Sequence, residues 1–203
     1  MNPTTTSNNP LSTIHNSRNG ALVIGITGGI GSGKSYVAAQ MAESGYRVYD
    51  TDKEAKRLIV EDPELRAGIV ALLGAEVYEG DVYRTDIVAK RVFANPSLLK
   101  QLNALVHPAV KKDILNTLPL YSSTPLPLYP STPLLLESAL LIESGLYRLC
   151  DRVIVVTAPE AVRIARTMAR DHCTESQVRD RIAAQMPEKE RLSYADFVIN
   201  NNN

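Results

Sequence analysis

Cysteine is scarce in this chain. Its 203 residues include two, Cys150 and Cys173, which lie far apart and form no C-x-x-C pair. They give no support for a disulfide framework or a structural zinc site. A reduced, cytosolic setting fits such usage. An excess of either charge is also missing, with 22 Lys plus Arg against 22 Asp plus Glu. A dedicated nucleic-acid binder carries a marked basic excess, so no nucleic-acid partner is expected, although a local basic pocket for phosphates remains compatible. Long apolar runs are lacking as well. The richest stretch, from Leu134 to Ile142, is broken by Glu137 and Ser138, well short of the ~18 residues that span a bilayer. A soluble protein with no membrane association is the expectation. Its length favours one domain carrying small insertions over two full domains.

What is present is an alternation of β-prone and helical segments. Residues 1–20 are polar, rich in Asn, Ser and Thr, and are expected to be a disordered tail. The run ALVIGIT (21–27) is apolar and β-branched, as in a strand buried on both faces. A helix is expected from Ser35 to a stop at Gly45, then a short strand over 46–50. Residues 52–118 read as mainly helical, interrupted by a small hairpin around Glu79-Gly80-Asp81. Residues 119–133 hold five prolines, at 119, 125, 127, 130 and 133, and read as a stiff irregular connection. LLLES (134–138), RVIVVTA (152–158) and ADFVI (195–199) are three more strands. Pro159 is placed to open a helix, and Thr174 with Gln177 forms a capping-box pattern for the next. This rhythm predicts an α/β fold of three layers with a parallel sheet.

The sharpest motif is Gly28-Gly29-Ile30-Gly31-Ser32-Gly33-Lys34-Ser35, a complete G-x-x-x-x-G-K-[ST] between a buried strand and a helix start. Glycines let the backbone curl so that successive N–H groups point at phosphate oxygens. The helix adds its positive N-terminal end. Lys34 is expected to reach the β- and γ-phosphates of ATP, and the Ser35 hydroxyl to ligate Mg²⁺. The predicted ATP site comprises Gly29, Ile30, Gly31, Ser32, Gly33, Lys34, Ser35 and Tyr36. Guanine-reading switches usually carry N-K-x-D and D-x-x-G elements; the sequence contains neither, which favours a kinase.

Asp50-Thr51-Asp52 ends the second strand in this reading. Residues two apart on an extended chain project to one side, so both carboxylates are expected to face a cleft at the strand ends, where α/β sheets bind ligands. An alcohol receiving a phosphoryl group needs such a carboxylate to orient it and take its proton. The competing reading is that one Asp caps the following helix. Arg163, Arg166 and Arg170 recur at i, i+3 and i+7, within about 60° around a helix. A polyphosphate would meet such a stripe, and a solvated basic face is the plainer alternative. Arg166 and Arg170 are assigned a role over the transferring group, Arg163 less so. Glu137 ends a strand where a magnesium-linked acid could sit; with Glu143 it is equally compatible with a surface or capping role. For His107-Pro108 a helix start led by the proline is favoured over a catalytic histidine.

Taken together the blocks GITGGIGSGKS, V-Y-D-T-D, R-V-F-A-N-P, L-V-H-P, L-L-I-E-S-G-L, D-R-V-I-V-V, R-T-M-A-R-D, R-I-A-A-Q-M and A-D-F-V-I-N-N-N resemble the dephospho-coenzyme A kinases. The resemblance runs in order from about Leu22 to Asn202. It implies ATP-dependent phosphorylation of the ribose 3′-hydroxyl of dephospho-coenzyme A, the last step of coenzyme A synthesis. It implies Asp52 as base, residues 31–36 as the ATP phosphate site, and His107 within a coenzyme-binding domain where it could touch substrate. It also implies a P-loop kinase fold: a nucleotide-binding core over 21–51 and 119–203, a helical substrate-binding insertion over 52–118, and a small helical lid near 160–190. The expected partners are ATP, dephospho-coenzyme A and Mg²⁺ in the cytoplasm, with the oligomeric state left open. Two other readings stay open at this point: a P-loop kinase of nucleotides or another metabolite, and a nucleotide-binding regulatory module without transfer chemistry.

Overall fold

Short apolar runs bracketed by glycine and proline set the order of elements. A computed structural model describes residues 22–122 and 133–202. The expected N-terminal tail and the stretch 123–132 of the proline-rich connection therefore lie outside the described residues. The first part contains β1 (Val23–Gly28), α1 (Lys34–Glu43), β2 (Arg47–Asp50), α2 (Thr51–Glu61), α3 (Pro63–Leu73), β3 (Tyr78–Glu79), β4 (Val82–Tyr83), α4 (Thr85–Ala94) and α5 (Pro96–Ser122). The second contains β5 (Leu134–Glu137), β6 (Arg152–Thr157), α6 (Glu160–Asp171), α7 (Glu175–Ala183), α8 (Glu188–Leu192) and β7 (Phe197–Asn200). The described residues divide into two compact units, one formed by residues 22–48 and 133–202, the other by residues 49–122.

The first unit is organised by a sheet in the order β2-β5-β1-β6-β7. β1 runs parallel to β5 on one side and to β6 on the other, with Ile26 opposite both Glu137 and Ile154. β7 runs parallel to β6, Ile154 facing Phe197. Alternation sends Ile26, Leu135, Ile154 and Val156 to one face, where they pack with Ala38 of α1. Leu134, Leu136, Val153 and Val155 point the other way and are buried too, which is why these strands read as unbroken apolar runs. The chain leaves β1 toward β2 on one side, while β6 lies on the other. The carboxyl end of β1 is thus a topological switch point, where open α/β sheets bind ligands. Thr174 and Gln177 form the expected capping box at the start of α7.

The second unit is helical. α2, α3 and α4 each pack against α5. Leu102, Val106, Val110 and Ile114 recur every fourth residue of α5 and are all buried, giving the long helix a continuous apolar stripe. β3 and β4 pair antiparallel, Tyr78 opposite Tyr83, with Gly80 at φ 59° in the turn. Two expectations about prolines are corrected here. No helix starts at His107-Pro108. α5 begins at Pro96, where the Asn95 side chain accepts from Ser97 N–H at 3.0 Å, and it runs straight through Pro108. Pro108 gives up one backbone bond, and the buried stripe holds the helix across it. Nor does helix give way to irregular chain at Pro119: the backbone stays helical as far as Ser122.

Leu135 of β5 is fully buried in the core cluster that includes Ala38 of α1. Leu135→Ala is expected to lower the unfolding free energy by roughly 2–5 kcal/mol, read as a lower urea midpoint. A loss below about 1 kcal/mol would contradict this placement of the core.

Candidate active site

The loop after β1 is shaped to present amides. Gly31 and Gly33 sit at φ 75° and 85°, left-handed values that glycine adopts without steric cost. A Cβ on Gly33 would run into the Asn201 carboxamide, and one on Gly31 into the backbone carbonyl of Arg163. The C=O and N–H of a trans peptide point in opposite directions. The Ile30 carbonyl accepts from Arg163 Nε at 3.0 Å, and the Ser32 carbonyl accepts from Asn201 Nδ2 at 3.0 Å. The amides across those two peptides, Gly31 and Gly33 N–H, therefore point away from the anchors. Lys34, Ser35 and Tyr36 open α1, and no side chain caps that end. Their N–H groups have no acceptor inside the helix, and they lie at its positive pole.

Glu137 faces this loop from the end of β5. It is 5% exposed, and its Oε1 accepts from both Lys34 Nζ and Ser35 Oγ at 2.6 Å. A buried carboxylate needs such partners, since an unpaired one is strongly destabilising. That burial rules out the surface role for Glu137. Glu143 is exposed.

The three arginines of α6 separate by depth. Arg163 is buried and, besides holding the Ile30 carbonyl, pairs through Nη1 with Glu188 at 2.8 Å. Glu188 also accepts from the Thr157 hydroxyl. Arg166 donates to the Asn201 carbonyl at 3.1 Å, whereas Arg170 lies exposed beside Asp171, donating at 2.7 Å. The stripe is thus no uniform solvated face, and its first two members grip the loop and its C-terminal neighbour. Arg191, fully buried on α8, donates to the Met186 carbonyl at 2.8 Å. Burial pulls its pKa below the ordinary arginine value. Tyr36 is exposed. The anchoring of the loop by Arg163 and Asn201 left no local signature, because each contact joins residues distant in sequence.

The helical unit holds the paired carboxylates. Asp50 and Asp52 do not share one side of an extended strand. The Asp50 carboxylate accepts from Asp52 N–H at 2.9 Å and Lys53 N–H at 3.0 Å, so Asp50 is the N-cap of α2 and Asp52 lies exposed in its first turn. The competing cap reading describes Asp50. The Tyr49 hydroxyl donates to Asp113 of α5 at 2.6 Å, and Arg57 of α2 reaches the same carboxylate at 3.0 Å. Burial and the neighbouring Asp113 carboxylate push the Tyr49 phenol well above its usual pKa. This network ties the segment carrying both aspartates to the long helix. His107 lies half-buried in the middle of α5.

A parallel sheet with a glycine loop at its switch point, leading into an uncapped helix beside a lysine and a buried acid, defines a P-loop kinase. Residues 22–203 match the family model described as dephospho-CoA kinase. The dephospho-CoA kinase of Porphyromonas gingivalis is 40% identical over 168 residues, 83% of this chain and 79% of that protein. The one from Geobacillus kaustophilus is 39% identical over 183 residues, 89% and 88% of the two chains. A crystal structure of a Thermus thermophilus protein superposes with a TM-score of 0.74 at 34% identity, covering 90% of each chain. Dephospho-CoA kinase from Campylobacter jejuni gives 0.64 at 26% identity, covering 89% of this chain and 88% of that one. The chain belongs to the dephospho-CoA kinase family. Among the described residues, no helix is long and apolar enough to cross a membrane.

Burial holds the His107 imidazole below its ordinary pKa of 6.5. The folded chain then binds this proton less readily than the unfolded one. Its stabilising share is complete above 6.5 and is lost as pH falls below that value toward the folded pKa. The unfolding midpoint is expected to drop over that interval, and less so in His107→Gln. An unchanged pH dependence in that variant would contradict the assignment.

Proposed function

We propose that this chain transfers the γ-phosphoryl group of ATP to the ribose 3′-hydroxyl of dephospho-coenzyme A, completing coenzyme A in the cytoplasm. The observation that carries the reading is the amide cradle, with Lys34 and Ser35 gathered on Glu137, in a chain of this family. Residues Gly29 to Tyr36 form the ATP phosphate site. The Gly31, Gly33, Lys34 and Ser35 amides bind phosphate oxygens, and Lys34 Nζ moves from Glu137 onto the β- and γ-phosphates.

The donors also suit Mg²⁺. A hydroxyl and a carboxylate 2.6 Å apart are hard oxygen ligands, and magnesium takes one or two protein ligands with phosphates and water. Among the described residues no group of three or more His, Cys, Asp or Glu side chains could hold a metal by itself. Ser35 and Glu137 are therefore the residues that would hold the ion, together with phosphate oxygens. Bound there, it neutralises charge developing on the transferring group.

Asp52 orients the acceptor hydroxyl and takes its proton late in transfer. It stands in the first turn of α2, exposed to an incoming hydroxyl. Arg166 and Arg170 act from the lid formed by α6 and α7, stabilising the transferring charge and excluding water. His107 contributes to holding the coenzyme.

A coupled ADP-release assay with dephospho-coenzyme A beside AMP, CMP and shikimate tests this directly, and turnover is expected with the first alone. Preference for any of the others would overturn the assignment. Asp52→Asn is expected to cut turnover by roughly 10²–10⁴ while leaving ATP binding nearly intact. Turnover like that of the parent chain would remove Asp52 from the chemistry.

A further inference from the structure

The phosphate loop carries glycine at 28, 29, 31 and 33, so its own backbone preferences leave many shapes open. Contacts from outside must select one. Three of them hold carbonyls, Arg163 on Ile30, Arg166 on Gly31 at 3.5 Å and Asn201 on Ser32. A fourth holds an amide: Ile30 N–H donates to Gln185 Oε1 at 2.8 Å, across 155 positions of sequence. A backbone N–H can meet only an acceptor, so the carboxamide oxygen faces the loop.

The consequence is geometric. Ile30 is held at both its N–H and its C=O, which fixes both of its backbone dihedrals. The plane of the following peptide is fixed with them, and that peptide carries the Gly31 amide. Gln185 follows α7, and its own N–H bonds the Ile182 carbonyl at 3.2 Å. Just beyond it, Arg191 holds the Met186 carbonyl and Glu188 pairs with Arg163. The segment joining α7 to α8 is therefore fastened to the loop through a side chain that aims a phosphate-binding amide. The residue type fits the task. A glutamate would accept the same N–H but would place a second negative charge beside a triphosphate, whereas glutamine accepts it while neutral.

We propose that Gln185 is a positioning residue for phosphoryl transfer, which locks Ile30 so that the Gly31 amide stays aimed at the triphosphate and makes the α7–α8 segment part of the phosphate site. This rests on the reading of the loop as the ATP site. The test compares Gln185→Met, close in shape but without the acceptor, and Gln185→Glu, which keeps the acceptor and adds charge. Q185M is expected to raise the ATP dissociation constant and the KM for ATP by about tenfold, the effect of one lost hydrogen bond. It is also expected to move the Gly31 amide resonance of the nucleotide-free protein, while leaving the KM for dephospho-coenzyme A and the unfolding midpoint near those of the parent. Q185E is expected to keep that resonance in place yet bind ATP more weakly, with the loss shrinking as salt screens the added charge.

Parent-like ATP affinity in Q185M would overturn the proposal. So would a loss shared equally between both substrates and accompanied by a lower unfolding midpoint, because that pattern marks a merely structural contact. A parent chain that binds ATP but leaves dephospho-coenzyme A unphosphorylated would sink the proposed activity alone. ATP affinity and the Gly31 resonance would then still decide on Gln185.

Discussion

A trans peptide carries its C=O and N–H on opposite sides, and the nucleotide site of this chain depends on that constraint. A loop that is to offer amides to an anion must have its carbonyls engaged elsewhere. Here Arg163 takes the Ile30 carbonyl, and Asn201 takes the Ser32 carbonyl while its own carbonyl accepts from Arg166. Glycine at positions 31 and 33 makes the required left-handed turns possible, but it does not select them. The selection comes from α6, from the segment after α7 and from the residue after β7. The far end of the chain thus shapes a loop near its beginning.

Charge follows from the same arrangement. Lys34, Arg163, Arg166 and Arg191 converge around a loop already polarised by the start of α1, against the buried acid Glu137 and the half-buried Glu188. Burial already works against the charged form of Arg191. Such a region is completed by an anion, because opposite charge in a partly desolvated site is worth far more than in open water. Glu137 bridges Lys34 and Ser35 and so holds both beside the start of α1. The helical unit is fixed by different means, through the Asp50 cap and the contacts of Tyr49 and Arg57 with Asp113.

Features set by local chemistry were legible in the sequence. The glycine loop, the capping box at Thr174, the hairpin around Gly80 and the apolar strands each come from residues close together in the chain, so spacing alone reveals them. The resemblance to the family came from the order of such blocks. Features set by tertiary contact were not legible. Pro108 and Pro119 argue locally against helix, yet α5 passes through both, since packing of a long apolar stripe outweighs one missing backbone bond. The pair Asp50-Thr51-Asp52 suits an extended strand or a helix cap equally well, and the cap prevailed because it satisfies two orphan amides. Glu137 and Gln185 gain their partners from distant segments, and no residue spacing announces such contacts.

The most direct measurement follows the backbone amides of Gly31, Gly33, Lys34 and Ser35 in ¹⁵N-labelled protein as ATP is added. Large, saturable shifts of all four resonances, on one binding curve, are the expected result. Shifts that bypass these amides while nucleotide binds elsewhere would contradict the loop as phosphate cradle, and with it the account of what its anchors are for.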